Sequence, residues 1–171
     1  VLLQAAGIVP EFEEETFFAM LLANPKLADT VDLFHADHGN VAASGAITKA
    51  TVSAGRLAMR SHKMKDKRPI KSNSPAILLC GPTKQTEAEE FLAPVAAAEQ
   101  IHVNTLAKSL RLVVSDEITD DKWFLTVDKS KKTSSFRHGY LDGARAPRVR
   151  VEDPFGSQGT RLTIEHDFAC G

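Results

Sequence analysis

Cysteine is nearly missing from this chain: Cys80 and Cys170 are the only two, far apart and in no Cys-x-x-Cys pair. A disulfide framework and a zinc ribbon are therefore not expected, and two buried free thiols are. Also missing is any apolar run near the ~18 residues that cross a membrane. No charge dominates: a net −1 gives the whole molecule no pull toward nucleic acid or an anionic membrane. The chain shows no signal-peptide pattern, no G-x-S-x-G elbow, no internal repeat and no low-complexity tract. Val1 in the place of Met, and a strand-like end at Gly171, read as the cut ends of a larger protein.

What is present is ordinary globular material. A hydrophobic fraction of 43% against 25% charged residues can bury a core, and 171 residues suit one medium domain or two small lobes.

The first helix is expected over Glu11–Ala23. Pro10 precedes it, and Glu11, Glu13, Glu14 and Glu15 crowd its first turn, where carboxylates favour the helix dipole. They read as a solvated helix start. Phe17, Phe18, Met20, Leu21 and Leu22 give it an apolar face, and Asn24-Pro25 ends it. A second helix is expected from Ala46 to Met64. Its predicted buried stripe is Ile47, Ala50, Ala54, Leu57 and Ala58, small enough to lie flat against a sheet. Beyond it Arg56, Arg60, Lys63, Lys65, Lys67, Arg68 and Lys71 make a basic run. A solvated linker explains the run; a nucleic-acid-binding patch is the sharper alternative, without the aromatics that would stack on bases.

After Pro69 the pattern turns to strands. Ala76–Cys80 is a continuous apolar run, as in a strand buried on both faces. Gly81-Pro82-Thr83 breaks it, and a helix follows from about Lys84, with Ala88, Phe91, Leu92 and Val95 inward and Pro94 at its end. Leu110–Val114, Lys122–Val127 and Ser135–Tyr140 read as strands of one sheet, with a polar turn at Asp128–Lys132. Arg148–Glu152 and Arg161–Phe168 alternate polar and apolar residues and form a long hairpin closed by Pro154–Gly159, with one exposed face.

Three segments invite a chemical reading. His35-Ala36-Asp37-His38 offers two imidazoles and a carboxylate, the basis for a small metal-dependent hydrolase. Zinc sites use three or four ligands, and no second cluster completes this set, so a hydrogen-bonded turn capped by Gly39-Asn40 is the simpler expectation. Gly81–Thr86 stands between strand and helix, as a phosphate loop does, but lacks the Walker spacing, and Pro82 removes an amide donor. Thr83 or Thr86 is expected to cap the helix, with Thr86-x-x-Glu89 as a capping box. Cys80 lies in apolar surroundings that leave a thiol inert.

Taken in order, four segments resemble tailed-phage major head proteins. Leu33-Phe34-His35-Ala36-Asp37-His38-Gly39-Asn40-Val41-Ala42-Ala43, read on to Arg60, is similar to the "LF…HGN(L/V)A" segment of Mu-type subunits and of the capsid halves of prohead protease–capsid fusions. Glu15-Thr16-Phe17-Phe18 and Leu21–Pro25 resemble the upstream "LLAN" segment. Ala76–Cys80, broken at Gly81-Pro82 and followed by Gln85–Glu89, resembles "LLVPP…ETEAE", and Leu162–Phe168 resembles the closing "DFG" strand. The resemblance implies an α+β, Hong Kong 97-like capsid fold. Residues 1–68 and 141–171 would form a peripheral lobe and 69–140 an axial one. The family's N-terminal arm and extended loop are not in this chain, nor is a fused protease. The implied function is a non-enzymatic shell subunit without catalytic residues, metal or cofactor. Its partners would be copies of itself in pentamers and hexamers, a prohead protease or scaffold, and packaged DNA held non-specifically at most. No membrane partner is implied. The implied location is the virion, with the host cytoplasm during assembly.

Overall fold

The computed structural model describes residues 2–42, 45–64, 66–71, 73–93, 106, 109–128, 136–152, 155–156 and 159–171, and among these described residues it has three α-helices and seven strands. They divide into two compact units, one of Val1–Ala23 with Phe136–Gly171, the other of Asn24–Ser135. The cuts expected at 68 and 140 both fall inside these units.

In the first unit, α1 spans Leu2–Ala23 and holds Pro10 within it, so the expected start at Glu11 is corrected. Pro10 removes one backbone donor, yet the helix runs on through it, and Val9 beside it is buried. The glutamates therefore lie mid-helix, beyond the reach of the dipole at the first turn. Phe18 and Leu21 bury the inner face, and Phe17 meets Phe18 and Phe136 edge-on at 5.3 and 5.6 Å. Asn24 ends the helix at a left-handed φ of 49°.

β4 (His138–Tyr140) pairs antiparallel with β7 (Phe168–Cys170), Tyr140 opposite Phe168. β4 is thus not part of the central sheet, a second correction: its partner arrives from the far end of the chain. β5 (Arg148–Glu152) and β6 (Arg161–Glu165) form the expected hairpin, Val149 opposite Ile164 and Val151 opposite Leu162. All of β5 is exposed, both faces alike.

The second unit is built on the order β2-β1-β3. β1 (Ile77–Cys80) is central, parallel to β2 (Arg111–Val114) and antiparallel to β3 (Trp123–Thr126). A parallel neighbour requires a crossover, and α3 (Gln85–Leu92) lies on it. Ala93 is extended, as the residue before a proline prefers. Leu78 and Cys80 are wholly buried with Val52, Ala88, Ile47 and Leu106, and Phe91, Leu92, Trp123 and Leu125 pack around them.

α2 spans only Lys49–Ser61. Thr48 caps it, its hydroxyl accepting from Thr51 N at 3.2 Å while Thr51 Oγ1 accepts from Thr48 N at 2.9 Å. Its buried face is Val52, with Gly55 and Met59 half-buried. Of the stripe expected to be inward, Ile47 is buried, but Ala50, Ala54, Leu57 and Ala58 face solvent, and Leu57 is 68% exposed. The helix does approach the sheet, but through Gly55, where a Cβ would stand 2.8 Å from Leu125 Cδ1. Periodicity alone could not choose between the two small-residue faces.

After α2 the chain folds back on itself. Met64 N donates to Arg68 O at 2.8 Å, Ile70 N donates to His62 O at 3.1 Å, and Arg68 is paired with Asp66. That part of the basic run is a closed turn and not a free linker. Lys65, Pro94, Val95, the turn at 129–132 and residues 154, 157 and 158 of the hairpin loop lie outside the described residues.

Candidate functional site

The His35–His38 segment is a single 3-10 turn, Ala36–His38, held by local hydrogen bonds of its amides and imidazoles. His35 Nδ1 accepts from Asp37 N at 3.2 Å, so that nitrogen holds its lone pair and its 3.4 Å approach to Asp37 Oδ2 is not an ion pair. His38 Nδ1 lies 3.2 Å from the Leu33 carbonyl and Nε2 lies 2.8 Å from Asp29 Oδ2. Both of these oxygens can only accept, so His38 donates from both nitrogens and carries a positive charge. Its pKa is raised accordingly, first by the bond to Asp29 and then by the Leu33 carbonyl. That of Asp29 is lowered, first by His38 and then by the Val31 amide.

A doubly protonated imidazole has no lone pair for a metal. Among the described residues, no group of three or more His, Cys, Asp and Glu side chains is placed to hold one. His62 Nε2 donates to the Gly39 carbonyl at 2.8 Å, and Asn40 spans the turn, its Nδ2 donating to Leu33 O at 2.6 Å and its Oδ1 accepting from His35 N at 3.1 Å. Gly39 has φ +62°, the left-handed position such a corner requires.

At Gly81 the glycine is explained by packing. A Cβ there would collide with the backbone carbonyl of Ile118, itself wholly buried. Neither Thr83 nor Thr86 caps α3, a further correction. Thr83 Oγ1 instead donates to Asp120 O at 3.0 Å. Glu87, in the first turn of α3, accepts from Lys84 Nζ at 2.7 Å and from the Ile47 amide, which ties the start of α3 to the entry of α2. Glu87 has a lowered pKa, chiefly through Lys84. Burial, with Glu89 nearby, pushes the Cys80 thiol above its ordinary range, where it stays protonated.

Two features had no signal in the sequence. The first is a buried polar cluster in which Glu13 of α1 accepts from His166 Nε2 at 2.7 Å and from Tyr140 Oη at 3.1 Å. The His166 side chain is 6% exposed, and its Nδ1 is buried without a hydrogen-bond partner. Burial, followed by the Glu13 carboxylate, raises the Tyr140 pKa. Of the four acids expected to be solvated, Glu11, Glu14 and Glu15 are exposed, but Glu13 is half-buried.

The second feature is an apolar groove of about 470 Å³ between α1 and β6, lined by Ile8, Val9, Phe12, Leu162, Ile164 and His166. Ile8 and Phe12 remain 58% and 47% exposed, and Val149 and Val151 extend the same apolar side of the hairpin. On the other side Arg150 pairs with Glu165 at 3.2 Å. The hairpin is therefore amphipathic, with its apolar face incompletely covered.

No helix among the described residues is long and apolar enough to cross a membrane. A family model described as phage capsid protein matches residues 4–171. No curated protein and no solved structure matches the chain.

Proposed function

The chain belongs to the phage capsid protein family and is a structural subunit of a phage head; from that premise we propose that it has the Hong Kong 97-like capsid fold of the Mu-type major head proteins. The observation that carries this reading is the extent of the family match, which runs through both units. The unit holding α1 and the β5–β6 hairpin corresponds to the peripheral lobe, and the unit built on the three-stranded sheet to the axial lobe. Copies of the chain associate into pentamers and hexamers around packaged DNA, which they contact non-specifically. Assembly takes place in the host cytoplasm with a prohead protease or a scaffold, and the product is the virion shell. The uncovered apolar groove and the wholly exposed strand β5 support the reading, because a shell subunit needs several contact surfaces.

Nothing in the His35, Asp37 and His38 geometry supports the hydrolase alternative. Light scattering and negative-stain microscopy test the proposal. Co-expressed with its protease, the head protein should form closed shells. A complete protein that stays monomeric at every salt and pH, and turns over a substrate, overturns it.

A further inference from the structure

We propose that the groove between α1 and β6 is the socket for helix α2 of a neighbouring copy of the chain. This rests on the capsid reading and names the surfaces that would join two subunits.

Both halves of the contact are exposed. The socket offers Ile8 and Phe12 above Leu162 and Ile164. The plug is the outward face of α2, where Ala50, Ala54 and Leu57 recur at the four- and three-residue spacing by which a helix seats in an apolar groove. Small side chains let the helix axis come close, and Leu57, 68% exposed, is its one large anchor.

Charge selects the occupant. α1 carries glutamates and no lysine or arginine, whereas α2 carries Lys49, Arg56 and Arg60 and no acid. On α1, Glu11 and Glu15 are four apart and run along one side of the Ile8–Phe12 ridge. On α2, Arg56 and Arg60 are likewise four apart and run along the same-handed side of the Leu57 stripe. At about 100° per residue, an antiparallel crossing brings the two rows to one edge, and a parallel crossing separates them. All four side chains are exposed and in no ion pair among the described residues. Socket and plug are different surfaces, so the contact is heterologous and propagates into rings, as a closed shell requires.

The test is charge exchange in the complete head protein. The E11R/E15R and R56E/R60E variants, each first shown by circular dichroism to melt like the parent, should each lose shell formation by about tenfold or more in sedimentation and negative-stain assays. An equimolar mixture of the two should recover it, because each variant then finds its complement on the other; only a contact between chains can be rescued in this way. Either variant assembling like the parent, or a mixture no better than its components, overturns the proposed contact and leaves the capsid reading standing. A parent protein that forms no shells under any condition overturns both.

Discussion

Glu13 Oε1 lies 2.7 Å from His166 Nε2, a bond between a mid-helix carboxylate and a nearly buried ring 153 positions later. The other carboxylate oxygen holds Tyr140. Removing Glu13 as Glu13→Ala would leave His166 with both nitrogens unsatisfied, a change expected to cost about 1–3 kcal/mol in denaturant unfolding. Glu13→Gln should retain most of that stability and bring the Tyr140 pKa back toward its ordinary value, read by ultraviolet titration of the chain's only tyrosine. A Glu13→Ala protein as stable as the parent would show that the cluster is incidental.

The His38–Asp29 pair fixes a pH dependence. The raised His38 pKa means its contribution is complete below the ordinary histidine value and is lost as pH rises through the raised one. The lowered Asp29 pKa means its contribution is present above the ordinary carboxylate range and is lost as pH falls through the lowered one. The pair therefore stabilises between those limits. The Tm difference between parent and Asp29→Asn should be larger near pH ~5 than near pH ~9. A difference independent of pH would contradict a cationic His38. Elemental analysis should give less than one metal per chain, and a zinc equivalent lost in His38→Ala would contradict the hydrogen-bond assignment.

Two glycines should fail for different reasons. Gly81→Ala places a methyl group against the Ile118 carbonyl and should cost about 3 kcal/mol. At Gly39 a Cβ would meet only the His62 ring, at an ordinary 3.6 Å, but the φ is positive. Gly39→Val should cost over ~1 kcal/mol, while Gly39→Asn is nearly neutral because asparagine tolerates the left-handed region. Equal Tm values for Gly39→Val and Gly39→Asn would show that the turn is an open loop.

The face of α2 can be checked by two truncations. Val52→Ala, at a wholly buried position, should cost about 1–2 kcal/mol, and Leu57→Ala should cost less than about 0.5 kcal/mol in the dissociated chain. The reverse order would restore the stripe read from periodicity.

Local signals carried well into the structure and long-range ones did not. The Ala76–Cys80 run became β1, the Asn24-Pro25 stop ended α1, and the Gly39-Asn40 turn closed as a corner, each marked by a signal within a few residues of sequence. The errors came where distant packing decides. Pro10 is carried inside a helix, and β4 leaves the central sheet for β7. α2 buries Val52 because Gly55 lets it approach Leu125, a contact 70 positions away that periodicity cannot see. The Glu13–Tyr140–His166 cluster and the groove join residues with no shared motif, so only the folded chain brings them together.

The unit made from the first and last parts of the chain also sets an order of events during synthesis. α1 precedes the sheet unit in the chain, but β7, against which it packs, follows that unit. The sheet unit can close while α1 still lacks the later part of its own unit. Such delayed, non-local closure is slow and leaves apolar surface open to other chains. Slowing translation near residue 136, or withholding chaperones, should therefore harm the yield of folded protein more than any change inside the sheet unit that leaves its stability unaltered.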